Sequence, residues 1–187
     1  MKKSILIVLL LVLLAAAVGV SGCLGGDDPA INGPNGPNGS ANATPDATFN
    51  GSVVTVSVPG FELLAIQEVT ADERNILGVN DALHGFVASY LTPTNTNVHF
   101  SAYQTEDNAS ARAYVQSMIN AHRAANNTVT NVTINGNNAT VFTTTTFIGG
   151  TTVERFTLAW ASDDKLVIVF GPATWADIRT IAEASDL

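Results

Sequence analysis

The feature that most constrains this chain is a solitary cysteine. Cys23 is the only one in 187 residues, so no intrachain disulfide can staple the fold. Whatever folds must hold itself together with an apolar core. Cys23 ends the stretch Val20-Ser21-Gly22-Cys23, which closes an apolar run beginning at Ile5 and preceded by Lys2 and Lys3. A basic start, an uncharged apolar run and small residues (Gly19, Ser21, Gly22) make the three-part layout of a secretory signal. As a helix, Ser4 to Val20 would span about 25 Å, slightly short of the ~30 Å hydrocarbon core. An uncleaved membrane anchor is the competing expectation.

An aliphatic residue, two small residues and a cysteine at 20–23 resemble the lipobox of prokaryotic lipoproteins. The resemblance covers those four positions and the run before them. It implies that residues 1–22 are a signal peptide cut before Cys23, and that the Cys23 sulfur carries lipid. It also implies a protein held on the extracytoplasmic face of the cell membrane.

Removing residues 1–22 takes Lys2 and Lys3 from eight basic residues and leaves all sixteen acidic ones, so the formal charge falls from −8 to −10. Nucleic-acid binding is excluded as an expectation, because phosphate neutralisation needs clustered Lys and Arg. Electrostatic docking on anionic lipid heads is disfavoured for the same reason. The acids are scattered, with no run longer than two, as on an ordinary solvated surface.

Residues 23–50 differ in kind. They hold Gly25-Gly26-Asp27-Asp28-Pro29 and then repeated Asn-Gly-Pro from Asn32 to Ser40. Such Gly and Pro density supports neither helix nor ladder, and little apolar surface is available to bury. The segment reads as a lipid-anchored tether with a reach of roughly 30 Å. Residues 51–187 are long enough for one domain with one core.

Asn-x-Ser/Thr occurs at Asn38, Asn42, Asn50, Asn108, Asn126, Asn131 and Asn138. In an exported chain these are candidate glycan acceptors. Sequons, acidic balance and lipobox together resemble archaeal surface lipoproteins; in a bacterial lipoprotein the sequons would carry no meaning.

Within 51–187 the spacing predicts strands at Ser52–Val58, Phe61–Val69, Phe86–Leu91 and Asn97–Gln104. Thr70-x-x-Glu73 offers a capping box for a short helix. Ala111, Val115, Met118, Ile119 and His122 form the apolar stripe of a long helix from about Asp107 to Ala125. A meander follows, with turns at Asn135-Gly136 and Gly149-Gly150. Leu166–Phe170 is apolar on both faces and so belongs in the middle of the sheet. Thr174 caps a short last helix. The expected fold is α+β: a mostly antiparallel sheet with one long and one short C-terminal helix packed on one face. This element order faintly resembles the small domains of photosystem-associated PsbP and Mog1 proteins, a resemblance that implies no function.

No motif gathers chemistry. Ser162-x-x-Lys165 spells a nucleophile motif, but it falls in a turn, whereas that chemistry needs the Ser and Lys one helical turn apart. No phosphate-cradling glycine loop is present. His84, His99 and His122 lack the spacing of a shared metal site, so no metal or cofactor is expected. His99 is expected to be exposed and His122 to sit at a boundary. Glu154 beside Arg155 reads as surface charge. Tyr90, Tyr103, Tyr114, Trp160 and Trp175 read as core aromatics rather than a groove lining. The reading is a membrane-anchored, non-catalytic binding or envelope-structural domain whose protein or small-molecule partner is open. An envelope enzyme such as a hydrolase is the alternative.

Overall fold

A computed structural model describes residues 48–187 apart from Leu77 and Asn80. Cys23, Asn38 and Asn42 lie outside the described residues. Among the described residues seven strands form one antiparallel sheet: β1 (Glu62–Glu68), β2 (His84–Leu91), β3 (Asn97–Gln104), β4 (Thr128–Ile134), β5 (Asn137–Ile148), β6 (Thr151–Ser162) and β7 (Lys165–Gly171). Their spatial order is β1-β2-β3-β7-β6-β5-β4. Among the described residues three helices accompany them, α1 (Ala71–Ile76), α2 (Asn108–Ala124) and α3 (Trp175–Glu183).

The topology follows from where the chain crosses. β1, β2 and β3 run as a meander from one edge. Helix α2 then carries the chain across the sheet to the far edge, and β4 to β7 meander back until β7 pairs with β3. The doubly apolar β7 thus occupies the centre of the sheet.

The local signals match the elements they start and stop. The Asp107 carboxylate caps α2 by accepting from Ser110 N at 2.7 Å. Thr174 and Asp177 form a reciprocal capping box on α3, and Thr70 and Glu73 make the corresponding bonds ahead of α1. Asn135 (φ 48°) and Gly136 (φ 84°) make the tight β4–β5 turn, where the left-handed backbone favours these two residue types.

Two expectations are corrected. The helices do not share a face. Val98, Phe100 and Ala102 of β3 join Trp160, Val167 and Val169 in a core closed by Ile178, Ile181 and Ala182 of α3. The alternate residues, with Tyr103, Leu166 and Ile168 among them, pack against Tyr114 and Val115 of α2. Strand side chains alternate between faces, so α2 and α3 lie on opposite sides of the sheet. The crossover from β3 to β4 is what lays α2 over the second face.

Ser52–Val58, in turn, is not a strand. Gly51–Val54 is a 3-10 turn capped by Asn50, and the chain then runs extended without a ladder partner. The Tyr90 hydroxyl takes the ladder's place: it donates to Val54 O at 2.7 Å and accepts from Val56 N at 2.8 Å. Packing begins ahead of Gly51, since buried Phe49 lies 5.6 Å, ring to ring, from Phe86.

Candidate functional site

Three places on the domain can do something chemically, and they lie apart. The first is a groove of about 380 Å³ between the Gly78–Asp81 loop and α2. Asp81, Glu106, Ser110, Tyr114 and Ser117 line it. Tyr114 ties the loop to the helix, because its hydroxyl accepts from Asp81 N at 3.1 Å. Burial pushes that hydroxyl's pKa up, so it stays protonated at neutral pH. Two carboxylates and three hydroxyls suit a cationic or hydroxyl-rich small ligand.

The second is a polar pair on the α2 face. Ser89 and His99 stand directly opposite each other on β2 and β3, and Ser89 Oγ lies 3.0 Å from His99 Nδ1. His99 is 8% exposed, which corrects its expected exposure. β3 is flanked by β2 and β7, and the Phe170 ring covers the imidazole at 5.1 Å. Burial lowers the His99 pKa, so the ring is neutral at pH 7 and can accept a proton. A serine beside a neutral imidazole has the first two parts of a nucleophile–base pair. The side-chain bonds among the described residues bring no carboxylate to that ring.

The third is the outer edge of β1. Nearly the whole strand is exposed, including Leu63 (39%), Leu64 (49%) and Ile66 (41%). No described strand pairs with its outer side.

The remaining residues singled out in the sequence scatter. His122 stacks on Phe142 with ring centres 4.4 Å apart and meets Asn127 Nδ2 at 3.2 Å, so it is a packing residue of α2. His84 meets Glu68 at 3.3 Å near the sheet edge. Among the described residues, no three groups of metal-binding type gather. Ser162 and Lys165 face each other across the β6–β7 turn, and Lys165 pairs with Asp164 at 2.8 Å. Glu154 is exposed on β6, with Arg155 next along the strand. Tyr90, Tyr103 and Trp160 are buried, and Trp175 packs against Phe156 at 6.1 Å. Tyr114 alone of these aromatics lines the groove.

Of the sequons described, Asn50, Asn126, Asn131 and Asn138 are exposed. Asn108 is half-buried, and its Nδ2 donates to Asp163 O at 2.6 Å.

Sequence reasoning passed over Asp81, Glu106, Ser89 and the β1 side chains. Only β1 carried a readable signal, an apolar run bounded by Glu62 and Glu68. No helix among the described residues is long and apolar enough to cross a membrane. No family model, curated protein or solved structure matches the chain.

Proposed function

We propose that this chain is a lipid-anchored extracytoplasmic protein whose folded part binds another chain through the β1 edge. The anchor rests on the Val20–Cys23 signal in the sequence. The binding role rests on one observation, a strand with exposed Leu63, Leu64 and Ile66 and no described partner on its outer side. An extended segment added there would gain main-chain hydrogen bonds and cover the apolar side chains. A second copy in the full antiparallel register would set Glu62 against Glu68 of its partner, and opposed like charges are destabilising. The occupant supported is therefore a different chain, apolar at its centre and basic at its flanks.

A photo-crosslinking residue in place of Gln67 should give one discrete adduct in native membranes. Ile66→Lys should abolish that adduct and leave the thermal transition in place. No adduct from any β1 position would overturn the binding role. Mass spectrometry of the native N-terminus tests the anchor: a chain starting at modified Cys23 supports it, and an intact 1–22 segment refutes it.

The Ser89–His99 contact supports a second reading, an envelope hydrolase. Turnover of an ester or amide substrate that Ser89→Ala abolishes would establish it, and turnover unchanged by that substitution would remove it.

A further inference from the structure

The β5–β6 hairpin outruns its sheet. Pairing of β4 ends at Thr128 against Thr143, and pairing of β7 ends at Gly171 against Phe156. Beyond those points Thr144 to Arg155 pair only with each other, as a two-stranded ribbon projecting roughly 15 Å at 3.3 Å per residue. An isolated two-stranded ribbon is marginal in water. At its tip Phe147 is 73% exposed and Ile148 48%, just before the Gly149-Gly150 turn. Apolar side chains at the apex of a projecting turn serve neither the core nor the turn.

Charge decides what such a tip can meet. From Ala124 to Val153, 30 residues, the chain carries no charged side chain, although its formal net charge is −8. Threonines at 143–146, 151 and 152 surround the apolar apex. The outer part of the ribbon, beyond Glu154 and Arg155 at its base, is uncharged, and its aromatic and aliphatic apex with a collar of hydroxyls matches the layered polarity of a membrane boundary. The apex suits the acyl edge, and the hydroxyls suit the headgroup level. The acidic remainder of the chain disfavours anionic heads, so the lipid contacted is neutral or zwitterionic.

The chain outside the described residues permits the approach. Twenty-four residues lie between Cys23 and Thr48, and the tether read from their Gly- and Pro-rich sequence would reach roughly 30 Å.

We infer that the β5–β6 ribbon touches the membrane, with Phe147 and Ile148 entering the outer boundary of the lipid layer to which Cys23 ties the chain. This rests on the anchored reading, and the experiment separates the two.

The mature full-length chain, purified from membranes with Thr146→Cys or, as control, Ala113→Cys, is labelled with a thiol-reactive environment-sensitive dye. It is then reconstituted into vesicles of zwitterionic phospholipid. Thr146→Cys leaves both apolar side chains in place. Its dye should shift to the blue and lose intensity when the acyl chains are brominated, in low and high salt alike. The control dye should do neither. Adding Phe147→Ser and Ile148→Ser to Thr146→Cys should abolish both changes. A water-like dye at 146 in vesicles overturns the inference. So does a shift seen only in native membranes, which would assign the tip to a protein partner. Peptide mapping of the same sample reads the anchor independently: lipidated Cys23 cannot take the dye, and a labelled Cys23 removes the anchored reading whatever the dye at 146 reports.

Discussion

The two faces of the sheet are built from alternate residues of the same strands, yet they bury different chemistry. The α3 face holds Tyr90, Phe100, Leu158 and Trp160, all fully or almost fully buried, and α3 adds Ile178 and Ile181. The α2 face has a smaller buried apolar cluster, built around Tyr103 and Leu166. It also buries His99, Ser101 and Thr140. A large apolar area removed from water gives the first face most of the stability. The second face carries polar groups that must find partners, and the domain's groove and its serine–histidine pair lie on that side. The difference suggests a division of labour, with stability held on one side and chemistry tolerated on the other.

The sharpest way to break that comparison is to empty the α3 face. Trp160 is fully buried, and its Nε1–H meets no acceptor among the described residues. Trp160→Ala should cost about 3–5 kcal/mol through lost burial and the cavity left behind. Trp160→Phe should cost distinctly less, because it keeps much of the ring and removes a buried donor without a partner. Urea unfolding of both variants checks this. Equal losses would mean that the indole N–H is satisfied and the apolar account is incomplete.

A smaller effect tests how α3 is held against that face. Asn135 Nδ2 lies 2.6 Å from Ser185 O, 3.2 Å from Glu183 O and 3.4 Å from Ala182 O, so the β4–β5 turn caps the C-terminal end of α3. Asn135→Ala removes those bonds and places alanine at a φ of 48°. The expected loss is about 1–3 kcal/mol, from orphaned carbonyls and a left-handed backbone without Asn. Asn135→Gly relieves the backbone and should recover part of it. Thermal unfolding of the two variants separates the terms.

What the sequence made legible was local. The i, i+4, i+7 stripe with its Asp107 cap defined α2. Asn135-Gly136 defined a hairpin, and the doubly apolar Leu166–Phe170 defined a central strand. What stayed illegible depended on contacts between distant segments. His99 alternates with apolar Val98 and Phe100 and so reads as exposed. Alternation cannot reveal that a crossover helix packs on that side or that a neighbouring ring closes over the imidazole. The register that puts Ser89 opposite His99 is set by the β2–β3 connection, not by either residue. Val54, Val56 and Val58 alternate like a strand, but the Tyr90 hydroxyl supplies the partner that a strand would have supplied. The edge position of β1 emerges only once all seven strands are ordered.

The finest test of the two faces is their response to pH. His99 on β3 and His122 on α2 both lie on the α2 side, and burial lowers the pKa of each. A histidine depressed in the folded state binds its proton more readily unfolded. Its contribution is intact above the unfolded value of ~6.5 and is lost as pH falls toward the folded value. Stability should therefore decline as pH falls from 7 toward 5, before the carboxylates respond. Asp107, held low by the Ser110 N–H, begins to lose its contribution only as pH approaches the unfolded carboxylate value of ~3.9. Urea midpoints at pH 7 and pH 5 should differ in the native chain. The difference should shrink in His99→Gln, which keeps a polar partner for Ser89 and cannot titrate. It should shrink further with His122→Gln added. Trp160→Phe, on the opposite face, should lower both midpoints in parallel and leave the pH slope unchanged. A slope that survives both histidine substitutions would place the pH response outside the α2 side and dissolve the distinction between the faces.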